Sequence, residues 1–301
     1  MSSASLSPSR LATYATCPRQ YDYRYAQGVN TPDRSELYLN QGTIYHETIE
    51  DVCDATDRDD DPRAISDRAM RTFDAKWDEH SAPDDYESAA HREYQCAENR
   101  AAVESFFDPD GGDGIEHARR SLATECRVEC EVDGRELHGK ADNVVRTADG
   151  LHVFDYKRTT RGVLSSGTAE YLGAHLDGEA HEPKRVRNAF QTATYVEGVK
   201  NEPFYEDGMD VRFSFYGLLN STSFESTPDG YEVSVRGYPR ETTGIYEAQS
   251  DTIRALIRAA HDGITGDAFE PEPFDLITEE ACPNCDYREM CADRLSPEVR
   301  R

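Results

Sequence analysis

Gly139-Lys140-Ala141-Asp142 and, one turn later, Phe154-Asp155-Tyr156-Lys157 are the stretch whose reading decides the fold. Residues 122–132, 137–145 and 151–156 are β-prone, and Asp133-Gly134 and Asp149-Gly150 between them are hairpin turn signals, so an antiparallel meander is expected. If Asp149-Gly150 forms a two-residue loop, Asp142 stands opposite Lys157 and Val144 opposite Asp155; a four-residue loop at 147–150 pairs Asp142 with Asp155 instead. In either register Asp142, Asp155 and Lys157 project from one face, because opposed residues share a face; an odd loop would part them. Two carboxylates and an ammonium gathered this way suit Mg²⁺ or Mn²⁺, with the lysine serving a water or a developing phosphate charge. The competing reading is a cross-strand salt bridge on a solvated sheet. Val153, Phe154 and Tyr156 oppose it by marking a buried strand, where unpaired carboxylates are costly.

Outward from this hairpin, the first third reads as helical. Ser7-Pro8-Ser9 ahead of Leu11, Tyr14 and Ala15 combines an N-cap, a first-turn proline and an apolar stripe. Residues 36–53 carry Leu39, Ile44, Ile49 and Val52 on a helical period, closed by the acidic run 57–61 and Pro62. Helical patterns follow over 63–80 and 86–107, up to the loop Asp-Pro-Asp-Gly-Gly-Asp-Gly at 108–114. Residues 159–183 are rich in Gly, Ser and Thr without a period, and are expected as a mobile insertion or lid. A helix over 184–199, strands over 209–220 and 231–238, and one helix over 242–264 precede a short cysteine-bearing tail. Strands flanked by helices define an α/β class. The expected organisation is a helical region 1–120, a core 121–240 with the insertion 159–183, and a segment 241–301 packing back on the N-terminus.

The chain has 301 residues, 59 acidic against 33 basic, for a net charge of −26, and only five of the basic residues are lysines. With 37% hydrophobic residues it is not a disordered chain, and no apolar run approaches the ~18 residues of a membrane helix. No basic region followed by an apolar stretch opens the sequence, so an intracellular, cytoplasmic protein is expected. Such an acid excess ordinarily argues against a nucleic-acid partner. Here the surplus is spread along nearly the whole chain and lysine is depleted in favour of arginine, a composition resembling that of halophilic proteins. At molar salt the Debye length is about 3 Å, so only charge near a groove acts on a polyanion.

The hairpin residues resemble the core of the PD-(D/E)XK nuclease superfamily, specifically its RecB-type branch. Gly42-Thr43-Ile44-Tyr45-His46 resembles that branch's Gly-x-x-x-His motif, and Gln191-Thr192-Ala193-Thr194-Tyr195 its Gln-x-x-x-Tyr motif, in family order. The resemblance implies a restriction-endonuclease-like core, a central mixed sheet flanked by helices. It implies Asp142, Asp155, His46 and the Tyr156 carbonyl as metal ligands, Lys157 serving the attacking water, and Gln191 with Tyr195 positioning the lysine or the DNA. The implied activity is a metal-dependent DNA nuclease acting on single-stranded DNA or duplex ends. Exonucleases predominate in the family, in recombination and repair or in CRISPR spacer processing, and a helicase or CRISPR adaptation partner is left unspecified. The alternative, a noncatalytic DNA-binding or scaffold subunit, is opposed by the intact Asp142, Asp155 and Lys157.

Cysteines stand at 17, 53, 96, 126, 130, 282, 285 and 291. Cys282, Cys285 and Cys291 form a C-x2-C-x5-C cluster and Cys17-Pro18 can supply a fourth thiolate, for zinc or for a [4Fe-4S] cluster. One N-terminal cysteine with such a C-terminal cluster resembles the iron-sulfur nucleases of the AddB and CRISPR-associated exonuclease types, which implies an iron-sulfur staple. Cys53, Cys96, Cys126 and Cys130 read as small buried side chains. Lys184, Arg185 and Arg187 before the Gln191 helix, with Arg158 and Arg161 after Lys157, are the local basic spots for DNA phosphates. Tyr21, Tyr23 and Tyr25 are aromatics for stacking on unpaired bases or for core packing.

Overall fold

The computed structural model describes residues 5–31, 37–227 and 230–299. Ser7 caps α1 (Pro8–Thr16), its side chain accepting from the Arg10 N–H. A short α2 (Pro18–Tyr21) runs into a wide turn, Asp22–Ala26. Next come α3 (Leu37–Asp54), α4 (Pro62–His80), α5 (Ala89–Phe106) and α6 (Asp113–Arg120). The expected start of α3 at residue 36 lies outside the described residues. The expected loop at 108–114 is shorter, since Asp113 already opens α6.

β1 (Ser121–Val132), β2 (Arg135–Arg146) and β3 (Gly150–Lys157) form the expected meander. After α7 (Tyr171–Leu176) and α8 (Pro183–Gly198), β4 (Asp210–Thr227) pairs parallel with β3, and β5 (Gly230–Glu241) returns antiparallel along β4. The sheet is thus mixed, in the order β1-β2-β3-β4-β5. The chain ends in α9 (Thr243–Ala248), α10 (Ser250–Thr265), α11 (Phe274–Glu280) and α12 (Ala292–Val299).

Helices cover both faces, which is why β3 is buried on both sides and reads as a nearly continuous apolar run. On one face Val144, Val153, Phe213 and Phe215 pack with Leu11 of α1, Phe190 of α8 and Ile257 of α10. On the other Phe154, Tyr156 and Tyr216 pack with Ile49, Phe73 and Phe106 of α3, α4 and α5.

Of the two even loops open to the hairpin, the four-residue form is present: Asn143 pairs with Phe154 and Val144 with Val153. Neither Asp149 nor Gly150 takes the positive φ of a two-residue turn, and the Thr147 hydroxyl accepts from the Gly150 N–H, closing the wider loop. The single helix over 242–264 is two, broken at Gln249. Residues 159–183 do not stand off as a lid: Leu164 and Leu172 are fully buried in the first core, and the Leu164 N–H donates to Asn188 Oδ1 of α8 at 3.2 Å.

Candidate active site

The β2–β3 ladder ends at Asn143, and Asp142 stands where its next rung would fall. Its Oδ2 accepts the Tyr156 N–H at 2.6 Å, so the carboxylate is wedged between the strands. Strand alternation puts Asp155 and Lys157 on the α8 side, with Lys157 Nζ 2.5 Å from Asp155 Oδ2. From α8 the Gln191 carboxamide donates to Asp155 Oδ1 at 2.8 Å. From α3 His46 brings Nδ1 to 3.4 Å from Asp142 Oδ2. The sequence-expected Asp142, Asp155, Lys157, His46 and Gln191 therefore converge.

Tyr195, one turn beyond Gln191, fits because residue 139 is glycine: a Cβ there would lie 2.7 Å from the Tyr195 ring. Its hydroxyl titrates high, through burial and then the charges of Asp155 and Asp142. Asp155 is pushed above the usual carboxylate range by burial, with Asp142 adding to the effect and Lys157 opposing it. For His46, burial favours the neutral ring, but the hydrogen-bonded Asp142 carboxylate, joined by Asp155, outweighs it and raises the pKa. The Tyr156 side chain points to the opposite face, its hydroxyl 2.9 Å from His117 Nδ1 and accepting from Asn143 at 3.2 Å.

One residue beside the candidate site escaped the sequence reading. Glu125 sits in β1 with φ +48°, beside Asp142 across the ladder. The ligand atoms of His46, Glu125 and Asp142 lie within 4.8 Å of one another, and Lys140 pairs with Glu125. The signal was available: Asp133-Gly134 does form the two-residue turn, and counting back from it sets Glu125 against Asp142. Whether the residues fit a hard divalent ion can be tested on the donors themselves. They are carboxylate oxygens plus one imidazole, an oxygen-rich set in which Asp155 Oδ2 is held by the Lys157 ammonium. The set fits.

Among the basic residues, Lys184 and Arg187 are exposed on the first turns of α8, and Arg187 shares a helix face with Gln191 and Tyr195. Arg161 is exposed just beyond β3. Two others are already engaged. Arg158 donates to Glu98 of α5 at 2.6 Å, and Arg185 pairs with Glu182 while lying 4.8 Å over the Tyr171 ring. Tyr21 and Tyr23 are buried, Tyr21 against Phe269 and Tyr23 against Tyr287, which corrects the base-stacking option for both.

Residues 17–29 and 282–293 meet around the cysteines. Arg19 donates to Asp293 at 2.6 Å, and the Tyr287 hydroxyl to the Val29 carbonyl at 3.1 Å. Burial pushes the Cys17 thiol up to about 11, with Cys285 and Cys282 close enough to add to it; Cys291 acts likewise on Cys282. Cys53 and Cys130 are buried and raised to about 12, chiefly by desolvation, and Cys126 to about 11; Cys96 is half-buried.

A family model of the PD-(D/E)XK nuclease superfamily matches residues 5–292. No curated protein matches the chain significantly. Among solved structures, a protein of Eubacterium rectale, provisionally named an exonuclease, aligns with a TM-score of 0.46 at 12% identity, over 89% of this chain and 83% of its own.

Proposed function

Because the chain belongs to the PD-(D/E)XK nuclease superfamily, we propose that it is a divalent-metal-dependent deoxyribonuclease of the RecB-type branch, working as an exonuclease on single-stranded DNA or duplex ends. The observation that carries this reading is the convergence of Asp142, Asp155 and Lys157 on one face, with His46 and Gln191 closing over them.

Asp142, Asp155, His46 and Glu125, with the Tyr156 carbonyl, would hold Mg²⁺ or Mn²⁺. When bound, the ion polarises the phosphoryl oxygen and lowers the pKa of a coordinated water. The chain's own groups do the rest. The Tyr156 N–H and the Gln191 amide fix the two carboxylates, one donor on each, so neither must reorganise. Lys157 holds an ammonium beside the reacting phosphate, where it stabilises charge developing on the oxygens and orients the incoming water. Tyr195 stays a neutral hydroxyl behind Gln191 and walls the site from bulk water. Lys184, Arg187 and Arg161 offer contacts for the phosphates that flank it.

For the termini we favour a [4Fe-4S] cluster on Cys17, Cys282, Cys285 and Cys291. The choice over zinc rests on the resemblance of one N-terminal cysteine plus a C-terminal C-x2-C-x5-C cluster to the iron-sulfur nucleases, and Cys282 and Cys285 lie close enough to Cys17 to act on its thiol. One preparation tests both parts. Labelled single-stranded DNA should shorten only with Mg²⁺ or Mn²⁺, and Lys157→Ala should lose about 10³-fold in kcat. Equal cleavage by that variant would remove the proposed site, and a wild type that binds DNA without cutting it would favour a scaffold subunit. The protein should be brown and bleach on oxidation; a colourless protein with one zinc per chain would overturn the cluster.

A further inference from the structure

Immediately past Lys157 and Arg158, Thr159, Thr160 and Arg161 line a polar cavity of about 460 Å³ whose far wall is Asn220, Tyr238 and Arg240. The sheet register ties it to the active site. Asp155 lies beside Phe215, which lies beside Arg240; Lys157 lies beside Gly217, which lies beside Tyr238. Partnered residues share a face, so Arg240 and Tyr238 stand on the catalytic face, two strands or about 10 Å from Asp155 and Lys157.

Residue 217 adds no side chain between them, and the Asn220 carboxamide takes that place: a Cβ at 217 would lie 2.3 Å from Asn220 Oδ1. The same oxygen accepts the Thr160 N–H at 2.7 Å and its hydroxyl at 3.0 Å, while the Asn220 amide donates to the Tyr238 carbonyl at 3.0 Å. Loop and strand are thereby locked into one preformed floor.

The cavity's charge is unusual for a chain of net charge −26. Arg161 and Arg240 have no carboxylate within salt-bridge distance among the described residues, and Arg240 Nε is buried without an acceptor. A buried guanidinium donor left unmet is costly, and its planar fork matches phosphate oxygens. Beside it Tyr238 is 42% exposed, an aromatic ring open to solvent with Arg236 and Arg240 two residues away on the same strand.

We propose that this cavity binds the nucleotide next to the scissile phosphate in single-stranded DNA, with Arg240 and Arg161 on its phosphate and its unpaired base stacked on Tyr238. The inference rests on the nuclease reading above and adds to it a preference for unpaired strand, since bases held in a duplex cannot reach the ring. It is tested by fluorescence anisotropy with a labelled single-stranded oligonucleotide in EDTA over a salt series, together with cleavage in Mn²⁺. Arg240→Ala should weaken binding about tenfold and reduce the slope of log K against log salt by about 0.7, the share of one phosphate contact on a single strand. Arg161→Ala should lower the slope likewise, and Arg240→Lys should restore it. Tyr238→Ala should weaken single-strand binding about tenfold at unchanged slope and affect blunt duplex less. A cleaving wild type whose Arg240→Ala, Arg161→Ala and Tyr238→Ala variants, folded by their melting curves, keep its affinity and slope overturns the cavity assignment alone. A wild type that binds with these dependences but cuts nothing supports the cavity and overturns the nuclease reading.

Discussion

Asp155 Oδ1 has a single described donor, the Gln191 amide, in a position that is 3% exposed. Without it a carboxylate that burial already makes reluctant to ionise loses its compensation. Gln191→Ala should therefore weaken Mn²⁺ binding about tenfold, read by titration calorimetry, while Gln191→Glu should not restore it, since a second acid adds repulsion. Affinity unchanged in Gln191→Ala would mean that the amide does not support the metal site. At this scale the two aspartates and the lysine were legible because strand alternation survives either even-numbered loop. Glu125 was equally within reach through the first hairpin. Arg158 was not: its partner Glu98 comes from a helix 60 residues earlier, and nothing local announces the pair.

α8 connects motifs that lie apart in the chain: Gln191 reaches Asp155, 36 residues earlier on β3, and Tyr195 lies against Gly139 on β2. Gly139→Val should drive the Tyr195 ring off β2, costing about 1–3 kcal/mol of overpacking. Denaturant melts should show that loss, and cleavage should fall more than stability explains. A variant as stable and active as wild type would disconnect the two motifs. Elements with a strong period were readable as such, α1, α4, α8 and the three meander strands among them. Two features were decided by contacts instead. Gly150 opens β3 against Asp210 at the start of β4 rather than turning the hairpin, and Leu164 and Leu172 draw a period-free segment into the core. Tyr238 and Arg240 carry no motif; only the pairing of β5 with β4 brings them to the face that carries Asp155 and Lys157.

Among the described residues burial lowers the pKa of four histidines, His181 among them, and holds three of the four well below their usual range. His152 is lowered to about 4, with Arg212 adding to the effect, His175 to about 4 beside His181, and His117 to about 3 beside His152. In the unfolded chain each takes up a proton near pH 6.5. The unfolded state thus binds more protons between about pH 6.5 and 4, and stability, fully present above that window, falls as pH drops through it. The midpoint of thermal unfolding should decline across that range, less steeply in His152→Gln; an identical slope in that variant would remove its share. Arg19 meets Asp293 and Tyr23 meets Tyr287 across the segments that carry the cysteines, a lining the sequence did not announce, because these four residues are separately unremarkable. That lining bears on biogenesis. Since the Arg19–Asp293 contact closes over 274 residues, a nascent polypeptide that has not yet reached Asp293 leaves its first turns without that clasp, and the contact forms only once residue 293 has emerged from the ribosome.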